Sequence, residues 1–536
     1  MIGITRSRRG SLCSIAGGVF VGLVSLFWIT RDRLTDISER LSGSTTSDSG
    51  FLAGRFASLR DAGLTPITPA RLFNIGWPYG VENRAHINWT APLSVMTNFL
   101  FFSWAGPTAN QVFFAGTGVL FTAAAVSYVV FRLSGSWNAG MIGAFFATVS
   151  SPMLHWAQEA PNYTFIGIVV LFFYFLSEAL RKNSVRLSVV AGALGLVATL
   201  WLQYFALFVG LIIAVHTISL VVLREKGRLR VLLTTLAIWL SGFTPYLVVK
   251  LGFPDAVPSR STSEAAVRSL SFSTTLTSGS YFYVGWVLVG SVLFLSTIYL
   301  GRWSRETEPA IATFVRATFL TVLLAAVFLG PSSVGPIPLP GKLIPTLIPQ
   351  FRHGMYSAHV IQSLLSVCVA SLVIAVSKSK MIRLALIAPI LVLGTLDGMR
   401  VDRSGGDRLL NQVPRETAVA VLAHLPKAPV ANFPWELSSE FGSNSDATPC
   451  LRQAVTHMPV VNVCDYDEPP TPLIRAVIKA ESCRKLGILR RAGVRYVIVD
   501  FTSAQPQLSS CLVNDTSVRQ LAPSGDVTVW EFSSSD

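Results

Sequence analysis

The chain has 536 residues, of which 51% are hydrophobic and 13% charged. Soluble domains carry about 25% charged residues, so this composition excludes an ordinary water-soluble globule and points to a lipid bilayer. The formal net charge of +14 comes in short basic clusters between apolar stretches, which fits membrane topology better than a nucleic-acid partner.

Runs of about twenty apolar residues, the length a helix needs to cross ~30 Å of hydrocarbon, predict transmembrane helices at 11–29, 109–131, 138–154, 163–180, 187–202, 204–223, 231–251, 281–300, 313–330, 357–377 and 384–398. The first reads as an anchor, since charge follows it directly and no small-residue cleavage site does. Arg6, Arg8 and Arg9; Arg132; Arg181, Lys182 and Arg186; Arg224, Lys226, Arg228 and Arg230; Arg302, Arg305 and Arg316; and Lys378, Lys380 and Arg383 all fall on one side if the N-terminus is cytoplasmic. An odd number of spans then places the C-terminal domain outside, in a multi-pass protein of the inner or plasma membrane.

Between the first two spans, residues 30–108 form a loop far too long for a passive connector. Within it, Ala91 to Trp104 is apolar but too short to span, and reads as a helix in the interface. Two more long outer loops, Phe253 to Ser280 and Pro331 to Tyr356, could cover an outward-facing cavity. After Arg400 the composition becomes that of a soluble domain. Strands are expected at Val430 to Phe433, Tyr496 to Phe501 and Val527 to Phe532, and helices at Arg415 to Ala423 and Pro472 to Ala480. The expected fold class is therefore mainly α: a polytopic bundle of about eleven spans over 1–400, followed by a small extracytoplasmic α/β domain over 401–536.

Cysteines follow the same division. Cys13 and Cys368 sit in predicted spans, where a thiol behaves as a small apolar group. Cys450, Cys464, Cys483 and Cys511 all lie in the C-terminal domain, on the side that topology calls extracytoplasmic, and predict two disulfides in one of three pairings. A zinc site is the rival reading, but there is no CxxC pair.

Polar groups on the outer face are the candidates for chemistry. The first loop offers Asp48 in Thr45-Thr46-Ser47-Asp48-Ser49-Gly50, then Asp61, then the stretch Trp77 to Trp89 with Glu82 and His86. Small neighbours would let a substrate approach Asp48; the bland alternative is that it caps a helix starting near Gly50. His155 and Glu159 sit near the outer boundary, although His155 beside Trp156 also reads as an interfacial anchor and Glu82 as a solvated loop residue.

The layout resembles the GT-C class of membrane glycosyltransferases: an early acidic residue in a long first outer loop, many further spans and an outer C-terminal domain. Phe73-Asn74-Ile75-Gly76-Trp77-Pro78-Tyr79-Gly80 resembles the "fyPhG" segment of bacterial members, and Ala115 to His155, ending in Ser151-Pro152-Met153-Leu154-His155, resembles their "FafsPyrlaH" segment. Pro349-Gln350-Phe351-Arg352-His353-Gly354-Met355-Tyr356 looks like the "fR.P.Rf" segment entering a late span, and Leu489 to Val499 resembles the "l...gvkYvvv" strand. Two departures stand out. Ser47 precedes Asp48 where such members usually show Gly, and Arg352 has no second Arg after it.

The resemblance implies transfer of a sugar from a polyprenyl-phosphate donor to an envelope glycan or lipid acceptor at the outer face, with inversion at the anomeric carbon. Asp48 would be the catalytic base. Arg352 would bind phosphate, because a guanidinium matches phosphate geometry, with His86, Glu82, His155 and Glu159 as further substrate-binding candidates. The implied partners are a lipid-linked sugar donor, a glycan or lipid acceptor and the membrane, with no nucleic acid. No cofactor is called for: His and carboxylates are too scattered for a recognisable ligand set, although a divalent cation remains open. The alternatives are a transporter or flippase of a lipid-linked precursor, which would more often show broken helices in matched halves, and a catalytically silent envelope scaffold.

Overall fold

The computed structural model describes residues 8–30, 40–42, 48–68, 71–82, 91–106, 109–222, 224–245, 247, 284–301, 309–329, 333–334, 337–338, 357–377, 379–402, 410–412, 417–433, 448–462, 471–500, 506–524 and 527–533. The chain divides into two compact units. The first comprises Met1–Leu34, Thr90–Ser94 and Phe114–Leu409; the second comprises Thr35–Trp89, Val95–Phe113 and Leu410–Asp536.

In chain order the elements begin with α1 (Arg8–Thr30), β1 (Arg40–Ser42), α2 (Asp48–Asp61), β2 (Arg71–Leu72), β3 (Val81–Glu82) and α3 (Pro92–Phe102). Then come α4 (Ala109–Ser134), α5 (Trp137–Thr148), α6 (Ser151–Glu159), α7 (Gly167–Lys182), α8 (Val185–Trp201), α9 (Gln203–Val222) and α10 (Leu229–Ser241). After these follow α11 (Trp286–Gly301), α12 (Pro309–Phe328), β4 (Ser333–Val334), β5 (Ile337–Pro338), α13 (Ser357–Val376) and α14 (Lys380–Asp402). The C-terminal part holds β6 (Leu410–Gln412), α15 (Thr417–Leu422), β7 (Val430–Phe433), α16 (Thr448–Thr456), α17 (Pro472–Lys479), α18 (Ser482–Arg491), β8 (Tyr496–Asp500), α19 (Pro506–Asn514), β9 (Val518–Ser524) and β10 (Val527–Phe532).

The first unit is a helical bundle. Among the described residues six helices are long and apolar enough to cross a membrane: Arg9–Phe27, Ala109–Ser134, Pro161–Lys182, Gln203–Val222, Ala310–Phe328 and Ser357–Val376. They coincide with six of the eleven expected spans. The other five fall on elements that do not meet that length: α5 with 12 residues, α8 with 17, α10 with 13, α11 with 16, and the apolar part of α14, Met381–Gly394, which contains Pro389. Among the described residues, six of the eleven expected spans are therefore matched by helices of spanning length and apolarity. Averaging apolarity along a window runs across helix boundaries that polar caps set. Thus α5 stops at Thr148, and Ser150, whose side chain accepts a hydrogen bond from the Met153 amide, starts α6 inside the expected span 138–154.

Large apolar side chains face outward on these helices. On α1, Phe20 and Phe27 are 60% and 63% exposed, an arrangement that water disfavours and hydrocarbon welcomes. The chain is a membrane protein. Inside the bundle, small residues let backbones approach, the usual means of helix association in lipid. A Cβ on Gly18 of α1 would lie 2.7 Å from the Ala123 carbonyl oxygen of α4, and Ser14 Oγ sits 2.9 Å from both the carbonyl and the hydroxyl of Ser127. A side chain on Gly118 would collide with Thr164 Oγ1. α13 is buried along most of its length, packed by α5, α11 and α12, and Gln362 Nε2 donates from it to the Phe146 carbonyl at 3.0 Å.

The second unit is built on a four-stranded mixed sheet of order β7-β8-β10-β9. β7 runs parallel to β8, with Val430 opposite Tyr496, while β8, β10 and β9 are antiparallel neighbours. β7 is fully buried, as are the first four residues of β8. Such burial explains why β8, Tyr-Val-Ile-Val, reads as a continuous β-branched and aromatic run rather than an alternating one. The strands fall on the segments expected from sequence at Val430, Tyr496 and Val527. α15 covers β9 and β10, and Cys483 of α18 is bonded to Cys511 of α19 at a Cα separation of 5.3 Å. Cys450 is also disulfide-bonded, Cys464 lies outside the described residues, and Cys13 and Cys368 are free.

A cavity where the first loop meets the C-terminal residues

The second unit owes its shape to pairings between residues nearly 400 positions apart. α2 forms because Leu52, Ala53, Phe56 and Leu59 recur at helical spacing, and all four are buried. This stripe faces α16, where Ala53 packs on Leu451. Gly54 makes the close approach possible, since a Cβ there would lie 2.6 Å from Cys450 Cβ. Phe56 stacks edge-on against Phe99 of α3 at 5.5 Å.

Along the same face runs a chain of hydrogen bonds. Ser58 Oγ donates to Gln453 Oε1 at 2.8 Å, and Gln453 Nε2 donates to Asp61 Oδ2 at 3.0 Å. His457 Nδ1 lies 3.1 and 3.0 Å from the two carboxylate oxygens of Asp61. An ionised carboxylate only accepts, so this pairing fixes the proton on Nδ1. The segment after α2 is tied down by backbone pairing: Asn74 donates through Nδ2 to the Ser58 carbonyl at 2.9 Å, while its own carbonyl accepts from Val460 N at 3.0 Å. Gly76 N and Trp77 N donate in turn to the Asn462 and Val460 carbonyls. Asn462 spans the next step, accepting from Asn432 N at 2.9 Å and donating to the Asn432 carbonyl at 3.0 Å. Arg452 Nη1 holds Asn432 Oδ1 from α16 at 3.0 Å. First-loop residues 74–77 thus extend the surface next to β7, and the Trp77–Pro78 bond is cis.

At the C-terminal end of α2 a cavity of about 340 Å³ opens, lined among others by Phe56, Arg60, Asp61, Asn110, Ala454 and His457. Its size lies in the range of small-molecule sites, roughly 300–1,000 Å³. The Asn110 side chain is fully buried, and neither its Oδ1 nor its Nδ2 has a hydrogen-bond partner. Sequence reading noted Asp61 as one polar loop residue and had no signal for His457 or Asn110. Nothing local marks them, because only the tertiary fold brings the three together.

The residues singled out from sequence fare differently. Asp48 is the first residue of α2, Glu82 ends β3 and Glu159 ends α6, but their side chains lie outside the described residues, as do His86 and Arg352 altogether. The helix starts at Asp48, two residues earlier than the expected Gly50. His155 is described in α6, with its ring 4.9 Å from Trp156, which stacks on Tyr163 at 4.1 Å. Burial pushes the His155 imidazole down to about 4. Among the described residues no group of three or more His, Cys, Asp or Glu is placed to hold a metal ion.

No family model matches the sequence, and no curated protein does. Among solved structures, the chain is similar to the arabinofuranosyltransferase AftD from Mycobacteria, at 14% identity and a TM-score of 0.57 over 99% of this chain and 42% of that one. A second AftD structure gives 16% identity and a TM-score of 0.54 over 99% and 40%. ArnT from Cupriavidus metallidurans, bound to undecaprenyl phosphate, is similar at 14% identity and a TM-score of 0.51 over 97% of both chains. This chain spans well under half the length of the AftD chains it matches. At such identities the likeness concerns the fold, and the fold of this chain is that of the GT-C glycosyltransferases.

Proposed function

We propose that the protein is a membrane glycosyltransferase that takes a sugar from a polyprenyl-phosphate donor and passes it, with inversion, to a glycan or lipid acceptor on the outer face of the membrane. The observation that carries this reading is end-to-end similarity, over 97% of both chains, to a protein whose structure holds undecaprenyl phosphate. The acceptor hydroxyl oxygen attacks the anomeric carbon from the face opposite the phosphate. The bond from that carbon to the phosphate oxygen breaks, and its electron pair leaves with the polyprenyl phosphate. The hydroxyl proton passes to the Asp48 carboxylate, acting as general base. Arg352 balances the charge that develops on the departing phosphate. His86, Glu82 and Glu159 orient the sugar and acceptor, and His155 does so as a neutral imidazole.

The orientation, N-terminus inside and C-terminal residues outside, is part of the same proposal. The Cys483–Cys511 disulfide supports it, because disulfides persist in oxidising compartments. The test uses purified protein and a panel of polyprenyl-phosphate sugars carrying a radiolabel in the sugar, with wild type and Asp48→Asn side by side. Label transfer by wild type that falls at least a hundredfold in a folded Asp48→Asn protein, the order expected for loss of a general base, supports the reading. Transfer that survives the substitution removes Asp48 from the mechanism, and absence of transfer from every donor removes the reaction.

A further inference from the structure

We infer that the cavity at the C-terminal end of α2 is a binding subsite for an uncharged glycosyl residue of the acceptor, at a distance from the reacting hydroxyl. This rests on the proposed transferase reading and narrows its acceptor to a glycan chain. Three observations lead to it.

The first is chemical. The Asn110 amide is fully buried against the cavity with both polar atoms unpartnered, a costly arrangement that a ligand able to donate and accept would relieve. A sugar hydroxyl does both. Asp61 and His457 add a fixed acceptor and an imidazole a short distance away, and Phe56 gives an apolar wall suited to the C–H face of a sugar ring. The second is electrostatic. Arg60 and Asp61, adjacent in the lining, cancel formally, so a free phosphate or carboxylate meets a carboxylate as well as a guanidinium, whereas a neutral polyhydroxyl group can bond to each. The third is position. The cavity sits at the opposite end of α2 from Asp48, a helix of 14 residues and so roughly 20 Å long at 1.5 Å per residue. A single sugar cannot occupy the cavity and react at Asp48 together, but a chain of several can.

The rigid setting favours binding. Gln453 locks the Asp61 carboxylate, and Ser58 locks Gln453, so the acceptor groups are held before a ligand arrives.

The experiment is saturation-transfer NMR on the full chain in lipid nanodiscs, with methyl glycosides of neutral pentoses and hexoses as probes and inorganic phosphate and methyl glucuronide as anionic controls. Wild type is expected to bind at least one neutral glycoside in the millimolar range and neither anion. Asn110→Ala, which removes two or more hydrogen bonds, should weaken that binding about tenfold. Ala454→Leu fills the cavity without touching the hydrogen-bond chain and should abolish binding; it decides the matter if Asn110→Ala does not fold. Binding of no neutral glycoside, binding of the anions alone, or unchanged binding in Ala454→Leu overturns the subsite. Failure of the reaction would look different: glycosides that bind to a wild type transferring no sugar remove the transferase reading and leave a glycan-binding cavity. Transfer to an oligosaccharide acceptor with the same KM in wild type and Ala454→Leu removes the subsite and leaves the transferase.

Discussion

The two units solve the same problem with opposite materials. The bundle hides glycines and hydroxyls between helices, as at Gly18, Gly118 and Ser127, and turns Phe20 and Phe27 outward. The second unit hides Phe56, Leu59, Tyr496 and Val499, sets Arg519 and Arg495 around Glu531 on its exposed edge, and is stitched by a disulfide. The difference follows from solvent. Hydrocarbon gives no reward for burying apolar groups, so close backbone approach holds the bundle, whereas water rewards a packed apolar core. Yet the first-loop helix α2 belongs with the second unit although apolar helices of spanning length flank its loop on both sides.

Substitutions can break that contrast unit by unit. The largest effect is expected for Phe56→Ala, which empties a fully buried ring site and should cost about 3–5 kcal/mol. It should release α2 from α16, read as faster amide exchange over Asp48–Asp61 and Thr448–Thr456 while α13 stays protected. Removing the disulfide with Cys483→Ser and Cys511→Ser opens a loop of 28 residues and should cost about 3 kcal/mol, seen as a lower denaturation midpoint of the second unit. In the bundle, Gly118→Ala should cost about 1–3 kcal/mol through overpacking against Thr164, measured as lower thermal stability in detergent with the sheet's exchange rates unchanged.

The smallest effect concerns Glu531. Partial burial would raise its carboxyl, but hydrogen bonds from Arg519 and Arg495 outweigh that and hold it below the usual carboxylate range. A depressed folded value means the stabilisation is present above the unfolded carboxylate range and is lost as pH falls through the folded one. Glu531→Gln should therefore destabilise the second unit by under about 1 kcal/mol at neutral pH and flatten its stability profile below pH ~4, as followed by tryptophan fluorescence.

Much of this architecture was legible because it is local. Apolar runs marked the six long apolar helices, and β-branched and aromatic content marked β7, β8 and β10. The expected span 138–154 crosses a helix boundary that hydropathy averages over: α5 stops at Thr148, and Ser150 caps the start of α6. Asp61, His457, Gln453 and Asn110 were illegible as a group, because their meeting depends on the seating of α2 against α16, through Ala53, Gly54 and Phe56, from positions nearly 400 residues apart. Asn74, Gly76 and Trp77 pair with Val460 and Asn462, a role that the composition of their segment does not announce.

Whether a sugar leaves its lipid phosphate on this protein is decided most directly by stoichiometry. Purified protein in proteoliposomes is given a doubly labelled polyprenyl-phosphate sugar and an oligosaccharide acceptor, and both labels are followed. Equal moles of free polyprenyl phosphate and of sugar on the acceptor, appearing together, are the predicted result. Movement of the intact donor between leaflets with both labels still joined would contradict it and make the protein a transporter.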